Sequence, residues 1–323
     1  MTGNLHVVLT CTKRKRHSAA LALQLRNHVE PEVDTRFESW LATLQEAVAD
    51  TPVPVKDLYA GDHWQRGCGL PAIAAQHGGA VRLWVCSAGY GLIPVESRVL
   101  PYSATFSRGH PDAVWRPEDG RSHPAAVREW WRLLATWRGP DPEAPRSISA
   151  LTAQADGAPI WVVASPTYLA AMQPDLLAAA RISGTPDRLV LISAGAKRLE
   201  GLDDHLLPFD WRLQGSAGPL GGAAMSLNVR VAELLLQEDW EQGTAGMRAR
   251  LAKLLEELPR REPPSRKRVS ESEVEEYIRT ELRRNPNARP SPLLRKLRDE
   301  LSWAFEEKRF RRIVAAVRSS SLE

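Results

Sequence analysis

The chain has 323 residues, 43% hydrophobic and 25% charged, a composition that excludes a mainly disordered or collagen-like protein. That length predicts one large domain plus a smaller one, with room for a buried core. The odd set Cys11, Cys68 and Cys86 lacks Cys-x-x-Cys spacing and so excludes a disulfide framework or a four-cysteine metal site, while the formal net charge of +4 is modest.

In chain order, a β-rich run over 5–10 leads into Thr10, Cys11, Thr12, Lys13, Arg14 and Lys15. Helical patterns follow over 36–49 and 68–77. A near-continuous apolar run over 81–87 then ends in Ser87, Ala88, Gly89, Tyr90 and Gly91. After a helix over 122–137 come a third strand over 159–165, which gives way to Pro166, Thr167 and Tyr168, and a helix over 168–182. The fourth strand, over 188–194, ends in Ser193, Ala194, Gly195, Ala196 and Lys197. Strands buried on both faces and alternating with helices predict an α/β fold with a mostly parallel central sheet flanked by helices. An amphipathic helix over 224–237, entered through Gly221 and Gly222, and another over 243–258 complete a domain expected to span 1–260.

Pro263, Pro264 and Ser265 read as a linker to a small all-α module over 265–323. Ser270 followed by Glu273 predicts a capping box opening a helix over 271–284, with further helices over 292–300 and 304–317. Residues 261–323 carry 16 Lys+Arg against 11 Asp+Glu, leaving 27 against 28 for the rest. A basic appendage on a nearly neutral body suits a helix-turn-helix-like nucleic-acid-binding module. Arg295, Lys296, Arg298, Lys308 and Arg309 are its candidate DNA-phosphate contacts; a solvated helical surface is the plain alternative. No apolar run is long enough for a membrane span and the N-terminus shows no signal-peptide pattern, so a cytoplasmic, membrane-free protein is expected. A monomer is favoured.

Ligands of open α/β sheets bind beyond the carboxyl ends of the strands, where small and glycine-rich turns let backbone N–H groups approach an anion. Four strand-end loops of that type are therefore expected to surround one site. No nucleotide-hydrolysing P-loop, Gly-x-Gly-x-x-Gly turn after the first strand, His-Glu-x-x-His motif or Gly-x-Ser-x-Gly elbow is present. A motor, dehydrogenase, zinc protease or lipase-like esterase is thereby disfavoured, and no cofactor or metal is expected.

The Cys-Thr-Lys-Arg-Lys run from Cys11 to Lys15, the Ser-Ala-Gly-Tyr-Gly-Leu-Ile-Pro turn from Ser87 to Pro94, Glu96, and the Pro101–Tyr102 pair form one pattern. It resembles the glycosylase-like domain of archaeosine synthases and related bacterial proteins, which are similar in turn to the uracil-DNA-glycosylase fold. The resemblance covers about 5–235 and implies a parallel four-stranded sheet between helices with the site at the strand ends. Within this group the sequence looks most like anti-phage DNA glycosylases that excise glucosylated hydroxymethylcytosine. The function so implied is hydrolysis of the N-glycosidic bond of a modified base in phage DNA, leaving abasic sites. One departure is that the first loop lacks the Asp that uracil-DNA glycosylases place there.

Breaking such a bond passes through an oxocarbenium-like sugar that a carboxylate stabilises, and the base must be flipped from double-stranded DNA into a pocket with an aromatic wall. Glu96 is the leading candidate carboxylate, followed by Asp62 beside His63. Asn228 is a candidate for reading a base edge or sugar hydroxyl. Cys11, Thr12, Ser87, Gly89, Tyr90, Gly91, Tyr102, Ser165, Tyr168, Ser193 and Gly195 are candidates to contact the base; core packing is the alternative for each tyrosine. Lys13, Arg14 and Lys197 suit phosphates. A non-catalytic modified-nucleic-acid-binding protein, and a base-exchange or nucleoside-processing enzyme acting on RNA or free nucleotides, are the competing readings.

Overall fold

The central sheet exists because its strands are apolar on both sides. In the computed structural model β1 (Asn4–Thr10) is buried from Leu5 onward, and β2 (Ala80–Ser87) from Leu83 onward. Residues 4–46, 51–196, 198–214, 220–237, 242–259 and 267–319 are described, and the chain divides into two units, Met1–Pro259 and Arg260–Glu323. Together with β3 (Gly91–Pro94), β4 (Ile160–Val163) and β5 (Leu189–Ile192), these strands form a five-stranded sheet ordered β3-β2-β1-β4-β5. Pairs β1–β2, β1–β4 and β4–β5 are parallel; β3 returns antiparallel beside β2. The expected α/β architecture with a mostly parallel sheet is present.

Helices cover both faces of the sheet. On one lie α2 (Asp62–Gln76) and α6 (Leu227–Gln237); on the other are α1 (Val33–Glu46), α3 (His123–Thr136), α4 (Ile148–Gln154) and α5 (Pro166–Ser183). Approach on the first face is close: a Cβ added at Gly67 of α2 would stand 2.4 Å from Leu9 Cδ1 of β1. A further helix, α7 (Gly243–Glu256), follows before the second unit.

Three differences from the sequence reading have local causes. Helix α2 starts at Asp62, six residues before the expected 68, because its first turn buries Trp64 and packs against the 224–226 turn. Strand β3 was expected to be loop; four residues are too few to show periodicity, and the strand forms by pairing Leu92 and Ile93 with Cys86 and Val85. The short α4 was missed too, although Ser147 caps it by accepting from Ala150 N. The tip of the helix expected over 36–49 lies outside the described residues from 47 onward.

The second unit, taken by itself, contains α8 (Glu271–Arg284), α9 (Pro290–Asp299) and α10 (Glu307–Ser319) around Val274, Ile278, Leu294, Leu297, Phe310 and Val314. The Ser270–Glu273 capping box forms as expected, Ser270 N donating to Glu273 Oε2 at 2.8 Å. Residue 304, expected to open the last helix, instead belongs with residue 303 to a two-residue strand paired with 267–268.

One buried cation ties the first unit together. Arg146 donates to Trp137 O at 3.0 Å, to Leu92 O at 2.5 Å and to Tyr90 O. Burial pulls its pKa down to about 10, so the side chain remains charged at neutral pH. Arg146→Met leaves these carbonyls in the interior without donors and is expected to cost on the order of 3 kcal/mol. Urea unfolding measures this; a loss below about 0.5 kcal/mol, the level of an ordinary surface change, contradicts the assignment.

Candidate functional site at the carboxyl edge of the sheet

Because β1, β2, β4 and β5 are parallel, their carboxyl ends share one edge, and side chains stitch neighbouring ends together. Cys11 Sγ and Tyr168 OH lie 2.9 Å apart, joining β1 to the start of α5. Tyr102 OH is 2.7 Å from Ser87 Oγ at the end of β2 and 2.9 Å from Tyr59 OH. Asn228 closes the β4–β5 side, its Oδ1 accepting from Ala194 N at 2.7 Å and its Nδ2 donating to Ala164 O at 2.9 Å.

Depth separates a floor from a rim. Tyr59, Tyr102 and Phe106 are fully buried, Phe106 meeting Tyr168 edge-on at 4.9 Å. Burial raises the hydroxyl pKa values of Tyr59, Tyr102 and Tyr168 well above the usual range, so all three stay neutral. Above them, half-buried, are Cys11, Thr12, Lys15, His63, Ser165 and Tyr168. Thr12 Oγ1 lies 2.8 Å from Arg14 O in its own loop and 3.0 Å from Ala60 O in the segment before α2, its one hydrogen serving either carbonyl.

Lys15 was passed over as a site residue in the sequence, where it is one of four consecutive cations; the fold alone draws it inward. It forms an antiparallel bridge with Tyr59, and its Nζ sits 4.4 Å from the Tyr102 ring centre. Its ammonium donates to Thr12 O at 3.4 Å. Desolvation lowers its pKa, partly opposed by Cys11 and by Asp112.

Asp112, likewise missed, is the buried carboxylate that acts on this edge. Arg26 Nε and Nη2 reach it at 2.8 and 2.5 Å, Ser103 Oγ donates at 2.8 Å and Arg26 N at 3.0 Å. Burial alone would raise its pKa, but the Arg26 and Ser103 hydrogen bonds outweigh burial and hold it below the usual carboxylate range. Its charge therefore persists at neutral pH, with both oxygens engaged.

His63 stands at the start of α2 beside the end of β1. Both ring nitrogens are shut off from solvent and have no hydrogen-bond partner among the described residues. The Thr10 backbone lies beside the ring outside hydrogen-bond geometry; desolvation dominates and pulls the pKa down to about 4. The imidazole is thus neutral, with two unused polar atoms at the sheet edge. Ser193 Oγ at the end of β5 is also buried without a partner among the described residues.

Several expected site residues have other work. Glu96 follows β3, which runs antiparallel, so it lies back beyond Pro94, the partner of Trp84, and away from the carboxyl edge. It is exposed there, and the catalytic assignment is corrected for that reason. Asp62 is half-exposed and committed to Ser226, to Arg66 at 3.0 Å and to Arg230 at 3.7 Å; first the Ser226 hydrogen bond and then the arginines hold its pKa below the usual range. It anchors the head of α2 to the start of α6. Asn228 spends its amide on the strand ends and so positions the edge.

The Ser87–Gly91 loop is a buried hairpin turn rather than an anion cradle. Ser87 Oγ accepts from Gly89 N and Tyr90 N, Tyr90 OH donates to Leu100 O, and Gly91 turns the chain with φ +73°. Gly89 is required by close approach: an added Cβ would stand 2.5 Å from the Tyr102 ring. Tyr90 and Tyr102 are therefore core residues, not accessible stacking surfaces. Gly195 is exposed with φ +66° beside Trp211, and Lys197 lies outside the described residues. Lys13 and Arg14 are exposed near the edge, where phosphate contact remains open to them.

In the second unit most expected phosphate contacts are already paired. Lys296 bonds Glu281 at 2.8 Å, Arg309 bonds Glu271 at 2.7 Å and Arg298 donates to Phe305 O at 2.8 Å. Glu281 and Glu271 of α8 thus consume Lys296 and Arg309, while Arg298 is held by a carbonyl. Arg295 is exposed and unpartnered among the described residues, and the side chain of Lys308 lies outside them. Among the described residues, no group of three or more His, Cys, Asp or Glu is arranged to hold a metal, and no helix is long and apolar enough to cross a membrane.

Comparison with family models, curated proteins and solved structures finds no match to this chain.

Two outcomes check these assignments. Between pH 6.5 and about 4 the unfolded chain protonates His63 while the folded one resists. Stability therefore falls as pH drops through that window, His63 contributing up to about 3 kcal/mol, and is unaffected by this group above it. Urea unfolding at pH 7 and 5 should show a smaller loss for His63→Leu than for the parent; equal losses contradict the buried neutral imidazole. Glu96→Gln is expected to leave stability within about 0.5 kcal/mol and any nucleic-acid activity unchanged.

Proposed function

We propose that this protein is a DNA glycosylase that hydrolyses the N-glycosidic bond of a modified base and leaves an abasic site. The observation that carries the reading is that Lys15, His63 and Tyr168 each stand at the carboxyl edge of a parallel sheet, Lys15 and Tyr168 packed on buried aromatic rings and His63 beside the end of β1. Open α/β sheets take ligands at that edge, and β1, flanked by β2 and β4, marks the point where strand order reverses.

The groups suit the chemistry. Cleavage builds positive charge on the sugar and negative charge on the departing base, and requires a water with a proton acceptor. His63, neutral and with no partner for its ring nitrogens among the described residues, can accept that proton once substrate and water reach the ring. Lys15 can donate to the leaving base, its ammonium kept in place by the Tyr102 ring and the Asp112 charge. Tyr168 offers the partly exposed aromatic surface against which an extruded base would rest. Hydrolysis by water needs no cofactor. The likeness of the Cys11–Lys15 and Ser87–Pro94 segments to archaeosine-synthase glycosylase-like domains and anti-phage glycosylases favours double-stranded phage DNA bearing α-glucosyl-hydroxymethylcytosine as substrate, in the cytoplasm, as antiviral defence.

A second reading, recognition of a modified base without cleavage, is favoured by Asp112 having both oxygens already bonded, so that it cannot itself orient water. Incubation of the pure protein with duplexes carrying cytosine, hydroxymethylcytosine or its glucosylated form separates the two. Alkali-labile sites and released modified base are expected from the glucosylated duplex, with Lys15→Met and His63→Leu each lowering single-turnover release by roughly 100-fold or more. Binding of modified duplex with no release under any condition selects recognition alone.

A further inference from the structure

The second unit contains a cavity that the expected helix-turn-helix face does not include. It has a volume of about 650 Å³ and is formed where the end of α8 and the turn after it meet the end of α10. Arg279, Arg283 and Arg318 line it, with Leu282, Pro286 and Asn287 between them, and none of the lining residues is acidic.

The three guanidinium groups are not equally committed. Arg279 holds Glu275 at 2.7 Å, and Arg318 donates to Ala288 O at 2.7 Å, which fixes its head while leaving its charge uncompensated. Arg283 is exposed and has no partner among the described residues. Asn287 uses its backbone N–H on Asn285 Oδ1 at 3.1 Å; its side-chain amide has no partner among the described residues and can both donate and accept. Cationic walls favour phosphate, the apolar side chains of Leu282 and Pro286 favour a flat ring, and a bifunctional amide suits a base edge. A cavity of this size holds a nucleotide.

We infer that this cavity is a nucleotide-binding pocket of the second unit that takes one phosphorylated nucleoside of a DNA strand. The identification of the strand as DNA rests on the reading above; the phosphate and base chemistry rests on the cavity. The pocket replaces the face of α9 as the unit's principal contact, because α9 retains few uncommitted cations.

The full-length protein is tested by fluorescence polarisation against a labelled single strand of about twelve nucleotides and its duplex, across a salt series. Arg283 has no partner among the described residues, so its replacement spares the fold, which thermal unfolding verifies. Arg283→Ala is expected to weaken binding roughly three- to tenfold and lower the salt slope by about one, with a larger loss for Arg283→Glu. Arg311→Ala, the removal of an exposed cation held by Glu307 elsewhere in the unit, should leave affinity within about twofold. Equal losses for Arg283→Ala and Arg311→Ala would show diffuse attraction and overturn the pocket. Competition by a free nucleoside triphosphate as effective as by unlabelled strand would overturn its assignment to a strand. Binding is read without base release, so a protein that shows the Arg283 dependence but never releases a base defeats only the glycosylase reading.

Discussion

A hairpin turn buried to its last atom is the constraint from which the first unit is built. Residues 87–91 reverse the chain between β2 and β3 inside the core, where every backbone polar group must find a protein partner. Trp130 Nε1 donates to Ala88 O at 2.8 Å, Trp40 Nε1 to Gly89 O at 2.9 Å, and Arg146 to Tyr90 O and Leu92 O. Ser87 Oγ takes the two N–H groups of Gly89 and Tyr90. The donors come from α3, α1 and the segment before α4, so satisfying one turn fixes the positions of three distant pieces of chain.

The strand-edge site is an extension of that network. Ser87 is linked to Tyr102, Tyr102 to Tyr59, and Tyr59 is bridged to the Lys15 loop, so the floor inherits the rigidity of the turn. Catalytic electrostatics depend on groups held before the substrate arrives. Lys15 on the Tyr102 ring, and Asp112 locked by Arg26 and Ser103, are charges of that kind. His63 differs in that its ring nitrogens, shut off from solvent, have no hydrogen-bond partner among the described residues.

The four parallel strands and their alternation with helices were legible because buried parallel strands announce themselves as apolar runs such as 81–87 and 188–194. Loop chemistry was not. The Ser-Ala-Gly-Tyr-Gly segment has the composition of an anion-binding turn, yet the indoles of Trp40 and Trp130, far away in sequence, convert it into core. Glu96 looked close to the site because it follows Gly91 by five residues, but an antiparallel return carries it toward the opposite end of β2. Asp112 and Lys15 lacked any local signal, since their importance comes from Arg26 and Tyr102, contacts that composition and periodicity do not report. In the second unit the sum of charge was visible, while its division into paired and unpaired arginines required the helices to be packed.

Glycosylase action and mere recognition make the same demand on the strand edge up to the moment a base arrives. They differ in whether the glycosidic bond is presented to His63 and Lys15. The most direct measurement is a crystal structure with a duplex carrying 2′-fluoro-substituted, glucosylated hydroxymethylcytidine, whose glycosidic bond resists cleavage. The account predicts an extruded base against Tyr168, with Lys15 Nζ within hydrogen-bond distance of it and a water between His63 and the anomeric carbon. A base left stacked in the duplex, or seated elsewhere with the strand edge untouched, would contradict it.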